Sequence, residues 1–242
     1  MLTGFSEHFS EGFCEHLPYF YSMPLSLHRD VAEKTKLGIW KIEESAEWFR
    51  SQLKLDDREN QLIDSIKHPM KKLHWLSSRL LLRILMNNPR AFIHLESDER
   101  GKPVIHNFPV KISISHSAEL SALLLSENLE VGIDIEKIDR KIKNIQHKFL
   151  REEELQNISG DHHLEHIYVY WCAKEAMYKL HGRKQLDFRE HLFVEPFSFT
   201  DSGTVTGSIR KNEARQTLKI FYEKINGYMM AYVTAPSSAE AT

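Results

Sequence analysis

Cysteine is nearly absent from this chain: Cys14 and Cys172 are the two in 242 residues. Two isolated thiols build no disulfide framework, and without a CxxC pair there is no zinc knuckle. The N-terminus lacks a basic segment followed by a long apolar run. No stretch is apolar for long enough to span a bilayer. These absences lead to the expectation of a cytoplasmic protein with no membrane partner. A charge excess is missing too. Thirty-two Lys and Arg against 34 Asp and Glu leave a net charge of −2. The chain as a whole therefore offers no electrostatic footprint for nucleic acid.

What is present is 41% hydrophobic residues, enough for a sizeable core. The periodicities predict an α+β chain. Strands are expected at 37–44, 91–96 and 110–117. Helices are expected at 45–53, 57–66 and 69–86, the last opened by Pro69. "ELSALLLSENLEVGIDIE" reads as a hairpin turning near Ser126-Glu127-Asn128. Further helices are expected at 141–148, 151–158 and 161–181, with Asp161 near a cap and Gly182 as a stop. The end of the chain, including "FSFTD", reads as strands, and residues 1–30 as a surface cover. Strand, helices, then strands occurs about twice. That predicts two similar halves, 1–110 and 111–242.

Four short stretches carry chemistry. In "VGIDIE", Val131 to Glu136, the apolar residues alternate with Gly132, Asp134 and Glu136. Two carboxylates on one strand face repel unless something positive sits between them. A divalent cation with oxygen ligands answers that need, and Gly132 would let a ligand approach the backbone. A solvent-facing edge with two ordinary acids is the plain alternative. In "YWCAKEAMYKLHG", Tyr170 to Gly182, the helix is apolar almost all round. Glu175 lies between Trp171 and Tyr178, so it needs a cation or strong donors. Lys179 one turn on is the bland partner. In "SISHS", Ser113, Ser115 and Ser117 share a face and His116 points the other way. "RGKP", Arg100 to Pro103, is a basic turn that could hold a phosphate. The histidines of "DHHLEH" fit a solvated helix end better than a zinc site.

In order, "GKP", "SISHS", "VGIDIE" and "WCAKEAMYK" resemble the motifs of the 4′-phosphopantetheinyl transferases. The family pattern is approximately GKP, (N/S)ISHS, (G/V)xDxE and W(x)xKEA(x)xK. Glu136 and Glu175 stand 39 positions apart, close to the family's spacing. The length is similar to that of the long, Sfp-type class. "RLLLRIL", Arg79 to Leu85, looks like the family's N-terminal-half helix.

The resemblance implies a monomer folded as a pseudo-dimer of two α+β halves, with the metal site in the C-terminal half. It implies transfer of the 4′-phosphopantetheine arm of coenzyme A to a serine of an apo acyl or peptidyl carrier protein. The activity would be of the holo-acyl-carrier-protein synthase type, dependent on Mg2+, with 3′,5′-ADP released. Carried over by position, Asp134, Glu136 and Glu175 would be the metal ligands. Glu175 and Lys179 would be catalytic. Arg100, Gly101, Lys102, Ser115, His116, Lys174 and Lys179 would bind coenzyme A. The family's early basic residues are matched only by Arg58. A metal-dependent phosphohydrolase or nuclease, or a non-catalytic coenzyme A or carrier-binding module, are the competing readings.

Overall fold

The computed structural model describes residues 25–88, 91–99, 101–158, 160–182 and 186–237. Arg100 and the expected cover over residues 1–24 lie outside the described residues.

Two sheets and two long helices carry the fold. The first sheet has the order β1 (Leu25–Ala32), β2 (Thr35–Lys41), β6 (Leu120–Ser126), β5 (Lys111–Ser117), all antiparallel. Helix α3 (Pro69–Leu85) lies on it. Pro69 opens that helix, where its missing N–H costs nothing, and the His68 ring accepts from the Lys71 amide. Leu76, Leu80, Leu81 and Leu85 then form one stripe, packed with Trp40, Leu123 and Leu125. The short helices α1 (Ala46–Gln52) and α2 (Asp57–Ser65) are capped by Ser45 and Asp56. A small hairpin, β3 (Leu95–Ser97) with β4 (Pro103–Ile105), precedes β5.

The second sheet has the order β7 (Leu129–Lys137), β11 (Tyr228–Pro236), β10 (Ala214–Ile225), β9 (Ser202–Lys211), β8 (Leu192–Val194). Helix α5 (His163–His181) crosses it, preceded by the short α4 (Glu152–Asn157). Gly182 ends α5 at φ 63, its amide donating to the Tyr178 carbonyl. That left-handed turn is the helix stop that glycine permits. A third core fills the space between the sheets, with Leu37, Ile39 and Leu124 against Val131, Ile133 and Ile135. The odd residues of β7 are thus spent on the core between the sheets, which leaves Gly132, Asp134 and Glu136 on the face that meets α5.

Several expectations are corrected. β6 and β7 are not a hairpin: β6 pairs with β2 and β5, and β7 with β11. The turn after Ser126 is a crossing from one sheet to the other. The hairpin partner of β6 is β5, through a tight turn at Ala118 with φ 46. Sheet membership therefore changes near residue 128, and residues 111–126 join the N-terminal sheet rather than the C-terminal one. Residues 91–96 form a strand only from Leu95. Residues 140–148 form two 3-10 turns instead of an α-helix, and Asp161 is not the cap of α5. "FSFTD" lies outside the strands, whereas residues 25–30, expected as cover, belong to the strand Leu25–Ala32.

Candidate active site at the junction of the two sheets

β5 and β7 are the facing edges of the two sheets. Bare edges leave amides unpaired. Here the amides of Ile133, Ile135 and Lys137 donate to the hydroxyls of Ser113, Ser115 and Ser117, at 3.0, 3.2 and 2.9 Å. The two strands run in the same direction, joined by side chains where a ladder would be.

From the other side, α5 meets β7 at Gly132. A Cβ there would lie 2.0 Å from the Ala176 carbonyl oxygen and 2.8 Å from the Leu180 nitrogen. The space at Gly132 is therefore occupied by helix backbone and not left for a ligand, as its position beside the acids suggested. This close approach sets Glu175 and Lys179 of α5 beside Asp134 and Glu136 of β7.

The electrostatics follow from the grouping. Burial, followed by the charge of Asp134, pushes Glu175 up to about 7, with Lys179 acting against it and Glu136 adding to it. Burial and then Asp134 raise Glu136. Asp134 is buried; its Oδ1 accepts from Lys179 Nζ and from Ser115, both at 2.8 Å. Its Oδ2 is sealed from solvent with no partner. Among the described residues, three carboxylates thus share a partly dry corner with one ammonium. Among the described residues no three His, Cys, Asp or Glu side chains are gathered closely enough to hold a metal ion as they stand. The charge imbalance and the unpartnered Oδ2 nevertheless fit a hard divalent cation, which takes oxygen ligands.

The other assigned residues fare differently. Lys174 does not face a ligand. It is 0% exposed, and its ammonium donates to Glu154 Oε2 (2.6 Å), Phe149 O (2.7 Å) and Phe188 O (3.1 Å). Lys174 and Glu175 are neighbours on a helix, about 100° apart, so only one of them can look at β7. Lys102 is also committed, to Glu130 at 2.9 Å and to the Leu180 carbonyl at 3.1 Å. A lysine on a terminal carbonyl is a helix C-cap. Gly101 serves the turn, at φ 86, with its amide donating to Asp98 O. Ser115 is turned to Asp134 and the β7 backbone, not outward. Arg58 is 79% exposed and paired with Glu96 of β3.

His116 is placed as expected on the opposite face from the serines. It stacks on His74 of α3, with ring centroids 4.8 Å apart at 16°. Its Nε2 is sealed from solvent and has no partner. Burial, with His74, Lys179 and Arg79 nearby, pushes its pKa down to about 3. Arg79 was missed as a candidate. Its guanidinium covers the Trp75 ring at 3.6 Å, its Nε is sealed and unpartnered, and burial lowers it to about 9. The signal was available: Arg79 and Arg83 are cations in the run Arg79 to Leu85, which is otherwise apolar, and cations do not stay there without a reason.

His116 makes a pH prediction. The folded state keeps it neutral down to about pH 3, while the unfolded chain protonates it near 6.5. Between those values the unfolded state binds the extra proton, so acidification favours unfolding. Urea unfolding at pH 7 and pH 5 should show the unaltered protein losing more stability than His116→Gln. The difference in slope should approach about 1.4 kcal/mol per pH unit below 6.5. Parallel losses would show that this histidine titrates normally in the fold.

No helix among the described residues is long and apolar enough to cross a membrane. Residues 130–233 match the family model described as the 4′-phosphopantetheinyl transferase superfamily. The 4′-phosphopantetheinyl transferase AcpT of Escherichia coli K12 is 32% identical over 118 residues, covering 46% of this chain and 59% of that protein. The 4′-phosphopantetheinyl transferase gsp of Aneurinibacillus migulanus is 32% identical over 111 residues, covering 45% and 46%. A mouse L-aminoadipate-semialdehyde dehydrogenase-phosphopantetheinyl transferase is 25% identical over 166 residues, covering 60% and 53%. The matches to these relatives span about half of their length. The matched span contains Asp134, Glu136 and Glu175 together with the strand and helix that bring them into one corner, and in that span the chain is similar to the 4′-phosphopantetheinyl transferase superfamily.

Proposed function

We propose that this protein transfers the 4′-phosphopantetheine arm of coenzyme A to a serine of an apo acyl or peptidyl carrier protein, with Mg2+ and with release of 3′,5′-ADP. The observation that carries the reading is the corner of Asp134, Glu136 and Glu175, three carboxylates against, among the described residues, the ammonium of Lys179. Asp134, Glu136 and Glu175 would hold the divalent cation. Bound there, the cation would offset charge developing on the pyrophosphate. Lys179 adds a second positive charge on the same side. Burial pushes Glu175 up to about 7 before a cation is bound and the cation would act against that, and Glu175 would take the serine proton directly or through a water. The sealed, unpartnered Nε2 of His116 and Nε of Arg79 would meet phosphate oxygens, which supply the acceptors both lack.

The test is mass spectrometry of an apo carrier protein incubated with coenzyme A, Mg2+ and this protein. The carrier should gain the mass of the phosphopantetheine arm. Asp134→Ala should lower the rate at least a hundredfold, because the cation loses its buried ligand. Near-normal transfer by Asp134→Ala at saturating Mg2+ would remove the metal assignment. Coenzyme A cleaved without a heavier carrier would identify a hydrolase instead.

A further inference from the structure

The three serines of β5 accept in the same way and donate differently. Each hydroxyl oxygen takes a β7 amide, from Ile133, Ile135 and Lys137. Each hydroxyl then has one proton left to give. Ser115 gives its proton to Asp134 Oδ1 at 2.8 Å, and Ser117 gives its own to Glu136 Oε2 at 2.7 Å. Ser113 lies opposite Gly132 and Ile133, where β7 has no carboxylate. One structural job is thus shared by all three, and a second belongs to Ser115 and Ser117 alone.

We infer that Ser115 and Ser117 are positioning residues that aim the Asp134 and Glu136 carboxylates. A hydroxyl whose oxygen is fixed by a backbone amide has little freedom in where its proton points. Here it points at a carboxylate oxygen. The carboxylate so held turns its other oxygen away from the seam. For Asp134 that other oxygen is the sealed, unpartnered Oδ2. The serines also tie the β7 carboxylates to side chains of the other sheet, so the corner is built from both sheets. The inference rests on the reading of these carboxylates as cation ligands. It adds that the N-terminal sheet, through β5, sets the cation affinity of a site whose ligands all lie in the C-terminal part. Hydrogen bonds to ligating carboxylates typically change metal affinity by about ten- to a hundredfold.

The experiment measures binding of Mn2+ alone by calorimetry, alongside urea unfolding without metal. Ser113→Ala is the control that strips a seam acceptor and touches no carboxylate. All three alanine variants should lose stability, since each orphans a β7 amide. Ser115→Ala and Ser117→Ala should each bind Mn2+ about tenfold more weakly, while Ser113→Ala stays within about twofold of the unaltered protein. Ser117→Thr keeps the hydroxyl and should restore affinity. If Ser115→Ala fails to fold, Ser117→Ala, nearer the strand end, decides alone. Equal Mn2+ affinity in the Ser113, Ser115 and Ser117 variants overturns the positioning role and leaves the metal reading standing. No Mn2+ binding by the unaltered protein, or unchanged binding by Asp134→Ala, overturns both.

Discussion

Gly132→Ala should cripple the fold, with a loss of about 3 kcal/mol or more in urea unfolding or no accumulation of folded protein. The added Cβ would sit 2.0 Å from the Ala176 carbonyl oxygen. That atom belongs to helix backbone, so no rotamer change relieves the contact. Either α5 moves off β7 or the strand buckles, and both Cys172 and Met177 of α5 are fully buried against that sheet. Gly38→Ala is the fair comparison. Its Cβ would come within 2.8 Å of Leu81 Cδ1 and 3.1 Å of Leu85 Cδ2, the ends of side chains that can turn. Its penalty should fall within the usual overpacking range of about 1–3 kcal/mol. A Gly132→Ala protein within about 1 kcal/mol of the unaltered one would mean that α5 does not approach β7 as described. The same substitution tests the site, because the helix displaced by the methyl carries Glu175 and Lys179.

The sequence made the secondary structure near the site legible, and for a physical reason. β5 and β7 alternate with period two because one face of each meets apolar core and the other carries the serines and carboxylates of the seam. α3 announces itself through Pro69 and its leucine stripe, and α5 through length and Gly182. The acidic strand and Glu175 stood out because carboxylates among apolar residues are rare. What could not be read was direction around an element buried on all sides. α5 has no polar face, so nothing in its pattern said that Glu175 turns to β7 while Lys174 turns to Glu154. β6 is likewise buried throughout. Both its sequence neighbours, β5 and β7, were open as hairpin partners, and β2 had to be found in space. The serines shared a visible face, but an edge-to-edge seam between two sheets leaves no local signature. Arg79 and His74 needed the tertiary contact with His116 to be seen as a group.

Lys174 carries the second large prediction, and it separates two roles a lysine beside Glu175 could have. Its ammonium uses three donors on Glu154, Phe149 O and Phe188 O, with none exposed. Glu154 is equally committed: Oε1 accepts from the Val194 amide at 3.1 Å, and Oε2 also accepts from the Arg151 amide at 2.9 Å. The pair therefore pins α4, the loop at Phe188 and β8 to α5. Phe188 in turn stacks on Trp171 at 5.6 Å and packs on Tyr178 at 5.3 Å. Burial is the main force lowering the Lys174 pKa, and Glu154 is what opposes it. Lys174→Met removes the cation and keeps most of the volume. It leaves a buried carboxylate and two carbonyls without their donor, so the expected loss is about 3–5 kcal/mol in urea unfolding. Adding Glu154→Gln removes the uncompensated charge and should recover part of that loss. On the protein that remains folded in the cold, affinity for coenzyme A should match that of the unaltered protein, because no donor of Lys174 is available to a phosphate. Weakened coenzyme A binding with unchanged stability would reverse the assignment and turn Lys174 toward the ligand.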